Sequence, residues 1–313
     1  MSYDLYLLRR PGAAPLKKKG FAAAFKGRSL FTVEGTRAGY ENPKTGVYFT
    51  FDYGDGKNSD DGRESIHFNV NYFRSHVFGL EAEPALTRLV RDLDLTVSDP
   101  QAEGMGDGEY TPQGFLRGWN AGNRFAHRAM LSLQDQGEQH LTQRHVLPAA
   151  KRRAAWEWTY RNTYLLDRFH DDDIDVFVPQ VMYVLCDGAL RTLCVWPQLI
   201  PTALPAVDLV LVMRNELPAR FAEGVDAANA VVPWDDVREA AKAFDVKPAK
   251  GSVNLKFVLM DYGTAEEAPP ELVAFVRGLP AFGGSLQGVA ADQILDEELV
   301  RECAAGGGRG QTP

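Results

Sequence analysis

The stretch that decides the fold is GVYFTFDYGDGKNSDDGRESIHFNVNYF, residues 46–73. Its first part places Val47, Phe49 and Phe51 at every second position, and residues 65–73 show the same alternation after a polar loop. Successive side chains of a strand point to opposite faces of a sheet, so this alternation predicts β-strands with one buried and one polar face. The stretch therefore predicts two half-buried strands, at 46–53 and 65–73.

Further strands and helices are predicted on the N-terminal and C-terminal sides of this stretch. In the first half, strands are predicted at 3–8 and 29–33. Three helices are predicted there, one at 16–26, one that begins at Pro84 and one that begins at Pro112. Thr111 suits the N-cap of the last of these helices, which should be long and central. Helical spacing gives the expected environments. We expect burial of Phe115, Trp119 and Phe125, and outward or ion-paired positions for Arg117, Arg124 and Arg128.

The second half of the chain carries a helix rich in aromatic residues that starts at Pro148, followed mainly by strands. Asp187-Gly188 is the strongest hairpin signal, because both residues tolerate the positive φ angles of a two-residue turn. A two-residue hairpin here places Cys186 and Cys194 on opposite faces, which argues against a disulfide between them. The predicted strands are 176–178, 181–186, 190–196, 207–213 and 253–260, and the later helices are 235–244, 271–277 and 291–303.

These elements predict an α+β fold with two lobes, each with a mostly antiparallel sheet packed against long helices. The polar stretch 134–147 has no periodicity and is the best candidate for a linker. We therefore expect an N-terminal domain at 1–147, an acidic C-terminal domain at 148–303 and a disordered tail at 304–313.

Composition indicates an ordinary globular protein, with 45% hydrophobic and 24% charged residues. The N-terminus lacks the basic and apolar regions of a signal peptide, and the most apolar region, 193–213, is interrupted by prolines. Three cysteines suit a reducing compartment better than a disulfide framework. We expect a cytoplasmic protein without a membrane span.

The formal charge of −8 is unevenly distributed along the chain. Residues 1–150 contain 18 Lys and Arg against 18 Asp and Glu, whereas residues 151–313 contain 16 against 24. An acidic field repels phosphate backbones and favours basic partners. We therefore expect no nucleic-acid binding by the second half, and the charge leaves the oligomeric state open.

Two glycine-containing segments resemble catalytic or nucleotide-binding motifs but fail on spacing. GMGDG at 104–108 precedes a helix, yet position 109 is Glu and no apolar strand leads into the loop. Ser285 in GGSLQG nearly imitates a nucleophile elbow, but Gln287 stands where the second glycine is needed. We predict no cofactor and assign no catalytic residue.

Two candidate metal sites also fail on spacing. The loop containing Asp52, Asp55, Asn58, Asp60 and Asp61 offers oxygen ligands, but no register fits a calcium loop. His140 and His145 are five residues apart, so they would diverge on a helix, and His67, His76, His127 and His170 have no ligand spacing. No metal ligand is assigned.

The densest acidic cluster is HDDDID at 170–175, which contains Asp171, Asp172, Asp173 and Asp175. Three interpretations are open: a solvated loop, a surface that attracts a basic protein, and a divalent-metal site. We take these four aspartates as the candidate partner-binding residues.

Four segments together resemble a known family. They are YENPKTGVYFTFDY (40–53), NVNYFRSHVFGLEAEP (69–84), DPQAEGMGDGEYTPQGFLRGWNAGN (99–123) and DVFVPQVMY (175–183). The chain resembles an uncharacterised bacterial protein family associated with immunity proteins, the cytosolic antidotes encoded beside polymorphic toxins. This resemblance implies an α+β fold and a binding role, and it carries over no catalytic residue.

Two main classes of function follow, and a purely structural or regulatory role is a further alternative. The first is a cytosolic inhibitor that occludes a basic toxin domain, such as a nuclease, by surface complementarity. The second is a hydrolase or transferase whose Asp, His and Arg groups come from distant segments. A deep pocket that brings His127, Asn123 or Asn120 near a carboxylate of perturbed pKa would favour the enzyme.

Overall fold

A computed structural model describes residues 1–56, 64–135, 144–244, 246–248 and 256–306. It confirms an α+β fold with mostly antiparallel sheets. The chain divides into two compact units. Unit 1 comprises residues 1–149 and 292–313, and unit 2 comprises residues 150–291.

The elements are numbered in chain order. The strands are β1 (Ser2–Arg9), β2 (Phe31–Glu34), β3 (Arg37–Asn42), β4 (Val47–Gly54), β5 (Ser65–Asn71), β6 (Leu95–Ser98), β7 (Asp107–Gly108), β8 (His145–Leu147), β9 (Met182–Cys186), β10 (Ala189–Pro197), β11 (Thr202–Pro205), β12 (Leu209–Met213), β13 (Ala230–Pro233), β14 (Val246–Pro248), β15 (Lys256–Met260), β16 (Leu286–Gly288) and β17 (Ile294–Asp296). The α-helices are α1 (Lys18–Phe25), α2 (Val77–Leu93), α3 (Pro112–Asp135), α4 (Ala149–Tyr160), α5 (Asn162–Asp171), α6 (Ala219–Ala222), α7 (Trp234–Ala240), α8 (Pro270–Gly278) and α9 (Glu297–Gly306).

Unit 1 is built on a seven-stranded antiparallel sheet of order β2-β3-β4-β5-β1-β6-β7. The alternation in the deciding stretch is confirmed, because the apolar residues of β4 and β5 are buried and the intervening polar ones are half-exposed. Phe68 of β5 and Tyr3 of β1 both contact Phe115 of α3. The helices therefore cover the apolar face of this sheet.

Helix α3 approaches the sheet through a row of glycines. Thr111 caps the helix as predicted, since its Oγ1 accepts a hydrogen bond of 3.0 Å from the Gly114 amide. A side chain at Gly118 would overlap the Tyr3 ring, and one at Gly122 would overlap the Tyr72 hydroxyl. The missing side chains let the aromatic rings pack directly on the helix backbone.

Unit 2 contains a five-stranded sheet of order β13-β12-β10-β9-β16 and a three-stranded sheet of order β11-β15-β14. The predicted hairpin is confirmed: Cys186 pairs with Ala189, and Asp187 and Gly188 have φ angles of 49° and 79°. The three cysteines are free, as expected. A buried cluster around Trp196 and Val212 forms the core between this larger sheet and α7 and α8.

The C-terminal segment corrects the predicted domain organisation. The prediction was one continuous second domain at 148–303. In the structure the second unit ends at Ala291, and the chain from Asp292 onward belongs to unit 1. There β17 pairs in parallel with β8, and Glu302 of α9 lies 3.0 Å from Arg124 of α3. The predicted tail at 304–313 also begins too early, because α9 extends to Gly306, and residues 307–313 lie outside the described part.

Three local predictions were wrong for identifiable reasons. Helix α2 begins at Val77, so Pro84 lies inside it rather than at its start. Phe125 is 67% exposed, because it projects from a different side of α3 than Phe115 and Trp119, both 0% exposed. The predicted strand 176–178 is reduced to one bridge between Phe177 and Thr202, since Pro179 cannot continue a ladder of hydrogen bonds.

Candidate functional site

The four candidate aspartates lie on an exposed loop at the end of α5. Asp171 is the last residue of the helix. The backbone amides of Asp172 and Asp173 continue its final turn by donating hydrogen bonds of 3.1 Å to the Arg168 and His170 carbonyls, respectively. Asp173 then reverses the chain with a φ angle of 61°. The backbone therefore holds the acidic loop, residues 171–175, in a defined shape.

The position of these charges is unfavourable for the stability of α5. A helix C-terminus carries a partial negative charge, so an aspartate there is destabilising by about 0.3–1 kcal/mol. Arg168 offsets part of this through a contact of 3.9 Å with Asp172, and His170 also lies in the last turn. The other three aspartates form no ion pair among the described residues.

An apolar groove in the same unit is lined by residues that precede and follow the acidic loop in the sequence. Its volume is about 380 Å³. Three large side chains in it are exposed to a similar degree: Leu166 of α5 at 41%, Phe177 at 41% and Met182 of β9 at 40%. The remaining lining residues are Asn162, Val178, Pro179, Gln180 and Val195.

Buried hydrogen bonds hold the segment that forms this groove. The Asn162 amide nitrogen donates to the Val178 carbonyl at 3.0 Å, and the Trp158 indole donates to the Pro179 carbonyl at 2.7 Å. The Phe177 amide donates to the Pro201 carbonyl at 2.8 Å. The exposed apolar side chains therefore sit on a fixed backbone.

The two units differ less in charge than the two halves of the sequence. Unit 1 has 20 Lys and Arg against 23 Asp and Glu, and unit 2 has 14 against 19. The reason is that the acidic C-terminal segment from Asp292 belongs to unit 1. The local concentration of charge is stronger: residues 162–182 contain five aspartates and one arginine. The loop, rather than the whole unit, is the charged feature.

The glycine-rich segments have structural explanations. A side chain at Gly104 would overlap the Gly114 carbonyl, so this glycine of GMGDG permits close packing on α3. Ser285 is exposed just before β16 and has no hydrogen bond to a histidine or carboxylate of the described residues. In the predicted calcium-like loop, Asp52 pairs with Arg37 at 2.7 Å. Asn58, Asp60 and Asp61 lie outside the described residues.

Two of the three residues that would have favoured an enzyme, Asn123 and His127, are buried and hydrogen-bonded to each other. Asn123 is 1% exposed and holds the backbone of Arg74, whereas Asn120 is exposed. His127 is 0% exposed, and burial lowers its pKa. The negative charge of Asp296 acts in the opposite direction and raises the pKa of His127, and Asp296 is itself only 3% exposed. His127, Asn123 and Asp296 are therefore shielded from solvent, whereas Asn120 is not.

Asp296 and Asp4 each accept hydrogen bonds from a histidine. Burial alone would raise the pKa of Asp296, but bonds from the His76 ring and amide and from the Ser75 hydroxyl outweigh it and lower that pKa. Asp4 accepts bonds from His67 at 2.9 Å and Asn69 at 2.6 Å. Both histidines join segments that are distant in sequence.

The remaining histidines add no further site. His145 lies in β8 and His170 is exposed next to the acidic loop. His140 is outside the described residues. No group of three or more His, Cys, Asp or Glu in the described part of the chain could hold a metal ion, so the metal interpretation of HDDDID gains no support.

Sequence reasoning missed the apolar groove. Leu166 lies in α5, Met182 lies in β9 and Phe177 lies in the segment between them, and in the sequence each resembles an ordinary core residue. Proximity in sequence was the only available signal, because all three fall within the segment that also carries the acidic loop.

Within the described residues, no helix is long and apolar enough to cross a membrane. Comparison of the chain with protein-family models, curated proteins and solved structures finds no match.

Proposed function

We propose that the protein is a cytoplasmic binding protein whose unit 2 captures a basic protein partner through the acidic loop and the apolar groove. The observation that carries the proposal is the combination of the two features within residues 162–182. Stable protein interfaces have an apolar core and a polar rim. The groove supplies the first and the acidic loop supplies the second.

The two features act on different steps of binding. Exposed charges at a rim mainly raise the association rate, and salt screens them over about 8 Å at physiological ionic strength. Large apolar side chains that become buried mainly slow dissociation. The partner is therefore expected to present basic residues next to an apolar side chain that enters the groove.

An immunity protein that occludes a basic toxin domain, such as a nuclease, fits this description. Such a protein needs a stable scaffold and a complementary surface, and no catalytic group. The alternative of a hydrolase or transferase receives less support, because His127 and Asn123 are buried away from solvent.

The experiment begins with affinity capture of the partner from the source cell, followed by binding kinetics at low and high salt. Replacing Asp171, Asp172, Asp173 and Asp175 by asparagine should slow association several-fold at low salt and have little effect at high salt. Phe177→Ser should instead speed dissociation roughly tenfold, as expected for an apolar contact worth more than about 1 kcal/mol.

A charge-matched control distinguishes local from overall charge. Glu223, Asp235, Asp236 and Glu239 are exposed acidic residues elsewhere in unit 2. Their replacement by the corresponding amides changes the net charge by the same amount and should leave the association rate nearly unchanged. An association rate that is unaltered by the loop variant at both salt concentrations would show that the loop is merely solvated.

A further inference from the structure

Unit 2 contains a second cavity, which is lined by none of the residues of the groove or the acidic loop. Its volume is about 520 Å³. Small-molecule sites usually enclose about 300–1,000 Å³, are mostly apolar and contain a few polar groups that orient the ligand. Two arginines and five apolar residues line this cavity, and the apolar ones are Phe221, Ala268, Pro270, Val273 and Ala274. Its size and its lining are therefore those of a small-molecule site.

The floor of the cavity is the outer side of the unit 2 core. Ala268 and Val273 belong to the buried cluster of that core, and Phe221 is half-buried against it. A ligand that covers this floor removes apolar surface from water, which is favourable. The cavity therefore suits the apolar body of a ligand.

Two contacts connect the elements that form the walls. Arg277, near the end of α8, donates from Nη2 to the Glu223 carbonyl, which follows α6, at 2.9 Å. Arg220 of α6 forms an ion pair of 2.8 Å between its Nε and the Oε2 of Glu266, which precedes α8. The short helix α6 is therefore held to both ends of the α8 segment.

The charged groups on the walls are positive. Both charged residues that line the cavity are arginines, and no carboxylate of the described residues lines it. Arg277 forms no ion pair among the described residues, and its one hydrogen bond there leaves four N–H groups for another acceptor. Arg220 has a carboxylate partner, and its guanidinium lies 4.3 Å from the centre of the Phe221 ring. Positive charge therefore lies next to the apolar floor.

We propose that this cavity binds a small carboxylic acid with an apolar body. The planar guanidinium of an arginine can donate two parallel hydrogen bonds to the two oxygens of a carboxylate. Arg277 binds the carboxylate, and the apolar body covers Phe221 and Val273. An inorganic anion would not use the apolar floor, and a neutral apolar molecule would not use the arginines. The lining residues all lie outside residues 162–182, so this site is independent of the proposed partner-binding surface.

The test is calorimetric titration of the full chain with octanoate, below its micellar concentration, and with octanamide, which has the same chain without the charge. One saturable octanoate site is expected. Octanamide should bind roughly tenfold more weakly, because it forms no charge-assisted hydrogen bond. Arg277→Gln should weaken octanoate binding by a similar factor and leave octanamide binding nearly unchanged.

Arg238→Gln is the matched control. Arg238 of α7 resembles Arg220, because it pairs with Asp235 at 3.3 Å and lies over the Trp234 ring at 5.8 Å, but it does not line the cavity. Its replacement removes the same charge from unit 2 and should leave octanoate binding unchanged. Arg220→Gln should weaken octanoate binding.

A further variant tests the cavity itself. Ala274 is an exposed residue of α8 that lines the cavity, so Ala274→Phe fills the space without disturbing the core. It should abolish binding of both ligands with an unchanged circular dichroism spectrum, and it remains informative if Arg277→Gln does not fold. Absence of saturable octanoate binding, equal affinity for octanoate and octanamide, an equal loss in Arg238→Gln, or full binding by Ala274→Phe would overturn the proposal.

Discussion

The most restrictive single residues in unit 1 are the glycines of α3. Glycine inside a helix is normally unfavourable by about 0.5–1 kcal/mol relative to alanine. At Gly122 that preference is reversed, because an added methyl group would overlap the Tyr72 hydroxyl, and Tyr72 stacks on Trp119 at 5.5 Å. The residue serves packing rather than helix formation.

We predict that Gly122→Ala lowers the free energy of unfolding of unit 1 by about 1–3 kcal/mol, the usual effect of overpacking a core. Gly20→Ala in α1 is the control, since its methyl group would meet only Leu16 Cδ1 at an ordinary 3.5 Å. The control should be neutral or slightly stabilising in urea denaturation. Equal stability of the two variants would contradict a packing role for Gly122.

At the scale of elements, β1 and β5 are joined on their polar face by the Asp4 network. Burial would raise the pKa of Asp4, but hydrogen bonds from His67, Asn69 and Ser2 outweigh it and bring the pKa to about 2, from an ordinary value of 3.8. A carboxyl group whose pKa is lowered by folding stabilises the protein above its unfolded pKa. That stabilisation is lost as the pH falls below 3.8 towards 2.

We therefore predict that Asp4→Asn destabilises unit 1 by about 2 kcal/mol at pH 6, from the size of the pKa change. The difference from the unmodified protein should shrink progressively below pH 4 in urea denaturation. Asp107→Asn, at an exposed position of β7, should show no such convergence. A constant difference between pH 6 and pH 2.5 would mean that Asp4 acts through shape rather than charge.

An element of this protein was predictable from the sequence where its burial pattern is local. Strands such as β4 and β5 were predictable because one face is buried and the alternation is local. β3 was not identified, because RAGYEN has little alternation and is held by its neighbours β2 and β4. The acidic loop was visible as a run of aspartates, whereas the groove depends on residues brought together by folding.

At the scale of the whole molecule, the defining feature is that unit 1 is completed by the end of the chain. Two sequential domains were predicted, because nothing in residues 292–306 indicates where they pack. β8 has β17 as its strand partner in a two-stranded sheet. Ile294 and Leu295 are 0% and 2% exposed, and Cys303 is 3% exposed. Residues 297–306 form an amphipathic helix whose sequence would be equally compatible with packing on either unit.

We predict that a chain ending at Ala291 has a destabilised unit 1 and an intact unit 2. The loss should be at least about 3 kcal/mol, because burial of an Ile or Leu side chain contributes about 1.5–3 kcal/mol and two are removed. Hydrogen–deuterium exchange should accelerate in β8 and α3 and stay unchanged in β10 and β12. A chain ending at Gly306 is the control and should match the full chain. If β8 and α3 remain equally protected without residues 292–313, the C-terminal segment is an addition to unit 1 rather than part of its structure.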